Sequence, residues 1–148
     1  MLDAIDELTG LHPRHAFIGA LRRQIGYANE RQTTLALIVV DIDGFARINA
    51  AYGYEFGDRL LRHVGDQLRK MARKHDYAAR IGGDRFAVIL PGVMNQGHAE
   101  LAIGKLFRLL DVPFEFGNAR VKICLTAGGA LCPLHATQTD YLLRQAEK

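Results

Sequence analysis

The feature that most constrains this 148-residue chain is an unbroken apolar run, residues 35–40, that ends at Asp41. Such a run has the length of a strand, and it leaves neither face of that strand for water. Strands of this kind lie in sheets that carry helices on both faces. The run therefore predicts a central strand in a helix-covered sheet, with Asp41 at its end.

The rest of the chain supplies the helices and further strands. Apolar residues that recur every three or four positions predict helices at about 13–31, 44–51, 56–71 and 99–110. A Thr137–Asp140 cap predicts a last helix at 141–148. Strands are predicted at 77–81, 85–90, 113–116 and 119–131. This order predicts an α/β (α+β) fold, a mixed sheet covered by helices.

Two of these strands flank the pair Gly82-Gly83, which predicts a β-hairpin with a tight turn. Asp84 follows the pair directly. A carboxylate beside bare glycine backbone suits a site for a phosphate and its metal ion. The hairpin is therefore the first candidate site.

The second candidate site is Asp41-Ile42-Asp43, at the end of the central strand. Open sheets bind ligands in the crevice at the carboxyl ends of their strands. Asp41 and Asp84 can share Mg²⁺, which prefers oxygen ligands, if the hairpin lies beside this strand. The residues alone leave an alternative open, in which Asp43 caps the following helix.

Several motifs together resemble those of GGDEF domains, the diguanylate cyclase family. The hairpin is similar to the family signature, the run from Asp41 to Asp58 resembles D-x-D-x-F-K-x-x-N-D-x-x-G-H-x-x-G-D, and the segment from Asp6 to Phe17 resembles the D-x-L-T-G-L-x-N-R lead-in. Residues 1–148 are thus identified as a single GGDEF-like domain, expected to be a fragment of a larger signalling protein. The implied fold is a nucleotide-cyclase palm of about five strands, with helices on both faces and the signature on a hairpin.

The resemblance implies a role for each matched residue. The family joins two GTP into cyclic di-GMP with loss of two pyrophosphates, each of two domains holding one GTP. By position, Asp41 and Asp84 are implied as catalytic carboxylates and Mg²⁺ ligands, with the carbonyl of Ile42. Substrate-binding positions are implied at Asn49, Asp58, Gly82 and Gly83. A carboxylate and an amide suit the guanine edge, although Asn49 as a helix cap and Asp58 as a helix N-terminal charge are the alternatives.

The chain departs from the family at Arg85, where the family has Glu, which gives the degenerate signature Gly82-Gly83-Asp84-Arg85-Phe86. Ala46 also replaces a Lys that contacts phosphate in the family. A guanidinium beside the metal site repels Mg²⁺, so Mg²⁺ is expected to bind weakly, if at all. Alternatively, Arg85 points away or grips a phosphate itself.

The leading hypothesis is a degenerate domain, catalytically weak or inactive, that binds GTP or cyclic di-GMP as a regulatory module. One alternative is an active diguanylate cyclase that makes cyclic di-GMP from two GTP. Another is a scaffold or dimerisation domain that binds no nucleotide. The retained acidic residues favour activity, and Arg85 opposes it.

Arg73 and Asp76 resemble the family's R-x-x-D inhibitory site, which binds cyclic di-GMP. Arg can fork onto a phosphate or onto guanine, and Asp can accept guanine N–H donors. Lys105 or Arg108 is expected to add a second cation, and a helix-end charge pair is the alternative for the motif. Arg80 is expected to be structural.

Composition excludes several other classes. The net charge of +3 comes with no dense Lys/Arg block, so nucleic acid is not an expected partner. No apolar run reaches about 18 residues, and the start resembles no signal peptide, so no membrane span and a cytoplasmic location are expected. Cys124 and Cys132 are expected to be buried free thiols. The six histidines lack metal-ligand spacing and are expected at the surface or as caps.

Further partners that the resemblance allows are a second copy of the domain and a C-terminal EAL-type domain.

Overall fold

The computed structural model describes residues 5–93, 95–133, 144 and 146. Its helices and strands follow in the order β1 (His12–Pro13), α1 (Arg14–Arg31), β2 (Leu35–Ile42), α2 (Phe45–Tyr52), α3 (Tyr54–Met71), β3 (Tyr77–Arg80), β4 (Arg85–Pro91), α4 (Gln96–Leu109), β5 (Phe114–Phe116), β6 (Ala119–Val121) and β7 (Leu125–Cys132). The predicted cap at Thr137–Asp140 lies outside the described residues, as does the predicted helix 141–148 apart from Arg144 and Ala146, both of which are helical.

The main sheet has five strands in the order β1-β3-β4-β2-β7. Strand β1 runs parallel to β3, and the other pairs are antiparallel. The sheet is therefore mixed, as the sequence predicts, and β2 lies inside it between β4 and β7. This order brings the end of β2 beside the start of β4, which follows the signature turn.

Both faces of β2 are buried, which confirms the interpretation of the apolar run. One set of alternate residues packs with α3 and α4, and the other packs with α1. The two sets are Ala36, Ile38 and Val40, and Leu35, Leu37 and Val39. None of these side chains is more than slightly exposed, and burying one Leu or Ile contributes about 1.5–3 kcal/mol of transfer free energy. The two cores hold the sheet between helices on both faces.

The predicted strand 119–131 is wrong in one respect, because the chain forms two strands there. Strand β6 pairs with β5 in a separate two-stranded sheet, whereas β7 pairs with β2. Between them, Ile123 is buried and the next side chain, Cys124, faces solvent. The prediction of a buried thiol is therefore wrong for Cys124 and confirmed for Cys132, which is fully buried.

Two histidines also differ from the prediction of surface or capping positions. His12 is half-buried, and its ring stacks on Tyr77 at 4.0 Å because β1 lies beside β3. His63 packs against Phe114, and burial lowers the pKa of its imidazole. His15, His75 and His98 are exposed as expected, and His135 lies outside the described residues.

In the part of the chain that the structure describes, no helix combines the length and the apolar character that crossing a bilayer requires.

Candidate functional site

The predicted signature hairpin is present between β3 and β4. Arg80 pairs with Phe86 across the two strands. The carbonyl of Arg85 accepts the N–H groups of Ile81 at 2.9 Å and Gly82 at 3.2 Å, which closes the turn. A Cβ built on Gly83 would meet nothing within 4 Å. The tip therefore presents bare backbone to solvent, as the Gly-Gly pair predicts.

Arg80 joins this turn to the start of the chain. Its Nε and Nη2 donate to the carbonyl of Gly83 at 3.1 and 2.8 Å, and its Nη1 donates to Asp6 Oδ1 at 3.2 Å. Asp6 also accepts from the hydroxyl and N–H of Thr9. Burial raises the pKa of Asp6, but the Thr9 and Arg80 contacts outweigh it and hold that pKa below its ordinary value. Arg80 is structural, as the sequence predicts, and its link to Asp6 was missed.

Arg85 forms a forked ion pair with Asp41. The antiparallel register of β2 and β4 places the two residues directly opposite each other. Arg85 Nε donates to Asp41 Oδ1 at 2.8 Å and Nη2 donates to Oδ2 at 3.4 Å. The side chains are 38% and 35% exposed, respectively. The basic residue at the altered signature position therefore binds the carboxylate that the sequence predicts as a metal ligand.

The backbone of Asp84 also lies at the end of β2, next to the strand position of Asp41. Its carbonyl accepts the N–H of Ile42 at 3.1 Å, so its backbone lies against the end of β2. The structure thus brings together four of the predicted site residues: Asp41, Ile42, Asp84 and Arg85. Over residues 5–93 and 95–133, His, Cys, Asp and Glu side chains form no metal-holding group of three or more.

Asp43 does not cap the helix that follows it. Its carboxylate accepts the hydroxyl of Thr126 on β7 at 2.7 Å, and its N–H donates to the carbonyl of Cys124. The residue before α2 is Gly44, with φ of 69°, and it forms no side-chain cap hydrogen bond. The first N–H groups of α2 are thus left without a side-chain acceptor from the cap position.

Asn49 and Asp58 lie on consecutive helices, α2 and α3. Asn49 is half-buried, and its Oδ1 is buried without a hydrogen-bond partner among the described residues. Its amide lies against Gly57, where a Cβ would come within 2.9 Å of Asn49 Cγ. Asp58 follows Gly57 and is exposed. The junction of the two helices therefore holds an unsatisfied amide oxygen next to an exposed carboxylate.

Arg73 and Asp76 border a separate cavity of about 360 Å³, which also has Lys105 and His98 in its wall. Arg73 Nη2 donates to Asp76 Oδ1 at 3.1 Å and to the carbonyl of Pro91 at 3.1 Å. The Arg73 side chain is 62% exposed, whereas that of Asp76 is 2% exposed. Asp76 therefore orients Arg73, and Arg73 and Lys105 offer the positive charge. Arg108 is not among the residues that line this cavity.

Comparison with known protein families shows which family the chain belongs to. The family model described as "Diguanylate cyclase, GGDEF domain" matches residues 3–148. This chain belongs to the GGDEF domain family. It is 36% identical over 143 residues to the diguanylate cyclase DgcS of Shewanella oneidensis, covering 97% of this chain and 47% of the relative. It is 30% identical over 142 residues to the cyclic di-GMP phosphodiesterase PdeR of Escherichia coli, covering 96% of this chain and 21% of the relative.

Solved GGDEF domains share the fold. The GGDEF domain of TpbB (YfiN) from Pseudomonas aeruginosa superposes with a TM-score of 0.93 at 34% identity, over 97% of this chain and 84% of that one. The GGDEF domain of DgcB from Caulobacter crescentus, solved in complex with c-di-GMP, gives a TM-score of 0.90 at 28% identity, over 99% of this chain and 88% of that one. The predicted cyclase-type fold is confirmed.

This GGDEF domain spans less than half the length of these curated relatives. The sequence motifs predicted the signature hairpin that the structure shows, whereas the roles of Asp41, Asp84, Arg73 and Asp76 stay predictions. Sequence reasoning missed the Arg85–Asp41 and Asp43–Thr126 contacts, which join residues more than 40 positions apart. The only sequence signal for the first was that both residues lie at the ends of predicted strands.

Proposed function

We propose that this GGDEF domain is a degenerate member of its family, catalytically weak or inactive, that binds guanine nucleotides as a regulatory module. The observation that carries the proposal is the forked ion pair between Arg85 and Asp41. Both oxygens of Asp41 accept from the guanidinium, and Asp41 is one of the two carboxylates that a metal-dependent cyclase reaction needs here.

The same ion pair argues that Mg²⁺ binds weakly, if at all. The residues that would hold it are Asp41, the carbonyl of Ile42 and Asp84. A guanidinium about 6 Å from the ion opposes each unit of metal charge by about 3 kcal/mol at an effective dielectric constant of about 20. Bound Mg²⁺ supplies electrostatic stabilisation of transferring phosphates. These residues do not fit a tightly held ion.

Guanine binding is proposed at Asn49 and Asp58. The buried Oδ1 of Asn49 lacks a partner among the described residues, and buried polar groups are normally paired. An N–H group of the base would satisfy it, and Asp58 would accept further N–H groups. The start of α2, which follows the end of β2 by two residues and has no side-chain cap, suits the phosphates.

Asp58→Ala tests this pocket without altering Asp41, Asp84 or Arg85. We expect the variant to lose its preference for GTP over ATP in calorimetric titrations, because adenine lacks the donor pattern that a carboxylate accepts. Glu55→Ala, another exposed acidic position on α3, is the matched control and should retain the preference. Equal binding of GTP and ATP by the unmodified domain would contradict the assignment.

A second ligand, cyclic di-GMP, is proposed for the cavity that contains Arg73, Asp76 and Lys105. Two cations in its wall suit a ligand with two phosphates. The DgcB domain, a structural neighbour, was solved in complex with c-di-GMP. In the whole protein we propose a cytoplasmic location, a homodimer and a C-terminal EAL-type domain as the setting in which this domain acts.

The decisive test of weak catalysis is turnover. The full-length parent protein, incubated with GTP and Mg²⁺, should form negligible cyclic di-GMP by chromatography, and Arg85→Glu should improve Mg²⁺ binding. Robust Mg²⁺-dependent synthesis by the unmodified protein would overturn the proposal. It would favour the second candidate function, an active diguanylate cyclase, which the 36% identity to DgcS supports.

A further inference from the structure

We propose that Arg85 takes the charge-neutralising place of a divalent cation, so that this domain binds the triphosphate of GTP without Mg²⁺. The inference rests on the proposed nucleotide site and adds to it the ionic requirement for binding.

The first observation is the position of the guanidinium. Arg85 begins β4 directly opposite Asp41, and the fork holds its charge at the carboxylate that would otherwise face the phosphates. Its side chain is 38% exposed, so its charge acts on a ligand at the surface and is not confined to the core. An ion pair of this exposure contributes little to stability.

The second observation is the charge of the surroundings. Among the described residues, two more guanidinium groups bond to this hairpin: Arg14 Nη1 donates to the carbonyl of Ile81 at 3.3 Å, and Arg80 donates to that of Gly83. With Arg85, these three cations share this part of the fold with four carboxylates. Asp6 pairs with Arg80 and Asp41 pairs with Arg85, whereas Asp43 directly follows β2 and Asp84 directly precedes β4. The group therefore has one net negative charge.

Glu at position 85 would change this balance by two units, because a positive charge would become a negative one. The same group would then have three net negative charges and would repel a triphosphate unless a divalent cation lay between them. With Arg85 in place, that repulsion is already largely compensated within the chain. A guanidinium also suits phosphate oxygens geometrically, since its planar fork binds two at once.

The consequence is a binding site whose affinity for GTP is insensitive to Mg²⁺. Arg85 keeps the negative charge of Asp41 from opposing the ligand, a task that in a metal site falls to the ion. A guanidinium neither activates a hydroxyl nor supplies the charge of two metal ions, so a nucleotide held in this way is retained and not converted. The site would then respond to GTP concentration alone.

The test is titration of this chain with GTP by calorimetry, once in millimolar Mg²⁺ and once in EDTA. The expected dissociation constants differ by less than about threefold. Arg85→Glu should require Mg²⁺, with binding in EDTA weaker by at least about tenfold. Arg85→Gln, which removes the charge without reversing it, should lie between the two. Arg22→Glu, the same charge reversal at an exposed site on α1, is the control and should remain insensitive to Mg²⁺.

A further arm separates phosphate contacts from base contacts. In EDTA, GTP should bind more tightly than guanosine to the unmodified domain, and Arg85→Glu should abolish that difference. If the unmodified domain binds GTP only with Mg²⁺, or if Arg85→Glu also binds equally well in EDTA, the inference is wrong and the nucleotide pocket stands. If neither GTP nor guanosine binds under either condition, the inference and the proposed nucleotide pocket fail together.

Discussion

Gly57 on α3 leaves the space that the amide of Asn49 on α2 occupies. A Cβ at position 57 would overlap Asn49 Oδ1, would come within 2.9 Å of its Cγ, and would lie 3.2 Å from the ring of Phe45. Asn49 and Phe45 are half-buried on α2 and the Oδ1 atom of Asn49 is itself buried, so the amide would have to shift to make room. The conformation of the proposed guanine-binding amide therefore depends on position 57 of the next helix being glycine.

Gly57→Ala should lower the free energy of unfolding by about 1–3 kcal/mol, because an extra methyl group overpacks this junction. The variant should also bind GTP more weakly, since Asn49 is displaced. Gly26→Ala is the matched control: its Cβ would meet nothing within 4 Å, and alanine should stabilise α1 by up to about 1 kcal/mol. Urea denaturation and GTP titration measure both effects. A Gly57→Ala variant as stable as the wild type, with unchanged GTP affinity, would contradict the role of this glycine.

Removing Arg73 should weaken cyclic di-GMP binding. Arg73→Ala deletes an exposed, charge-assisted contact in the cavity and should cost about 1.5–3 kcal/mol, tenfold or more in affinity. Asp84→Ala is the control, because the signature turn lies at the opposite end of β3 from Asp76, and it should leave this affinity unchanged. The measurement is cyclic di-GMP titration of the wild type and both variants. A loss confined to Asp84→Ala would refute the placement of the ligand.

Asp6 should stabilise the domain in a pH-dependent way. Its pKa is lowered in the folded chain by Thr9 and Arg80, so its contribution is present above the unfolded-state pKa and is lost as pH falls through the folded-state value. Asp6→Asn should therefore lower the free energy of unfolding at neutral pH by about 1–2 kcal/mol, and the difference should shrink below about pH 4.

Asp66→Asn is the control for this experiment. Asp66 pairs with Arg69 at 3.5 Å, but both side chains are about half exposed, so the change should stay below about 1 kcal/mol. Denaturant titrations at neutral and acidic pH give the comparison. A destabilisation by Asp6→Asn that does not diminish toward acid would show that the charge of Asp6 is not the cause.

The two cysteines should differ sharply in reactivity. Cys124 is exposed and should react quickly with a thiol reagent, whereas Cys132 is fully buried and burial raises the pKa of its thiol. Less thiolate and no access both slow its reaction. The folded chain should therefore consume one equivalent of reagent rapidly and the second only in denaturant. Cys124→Ser should abolish the fast phase, and a fast phase that persists in this variant would place Cys132 at the surface instead.

Much of the fold follows from local pattern. The run of apolar residues before Asp41 predicted a strand that is buried on both faces. The helical spacing after Pro13 and Phe56 predicted the helices that pack on those faces. The Gly82-Gly83 pair specified a hairpin. These are short-range constraints, in which periodicity and turn chemistry act within one element, and neighbouring residues therefore suffice to express them.

The pattern of apolar residues did not predict where the chain leaves the small sheet and enters the main sheet, because the alternation continues across that boundary. The alternation that begins at Val121 continues to Leu125, yet the first belongs to the small sheet with β5 and the second to the main sheet with β2. Alternation gives the period of a strand but not its partner. Cys124 is exposed because it lies between the two sheets, and no turn residue near it in the sequence marks the end of β6 or the start of β7.

The sequence alone determined which charged residues this domain has, including the arginine in its signature. Only the tertiary structure decided that this arginine pairs with Asp41. The register of β2 against β4 sets Arg85 opposite Asp41, and a shift of one residue would send every side chain of the strand to the other face. The contact spans 44 positions and depends on hydrogen bonds along two whole strands. Pairing between distant residues is a property of the assembled sheet, which is why the sequence did not predict the ion pair between Arg85 and Asp41.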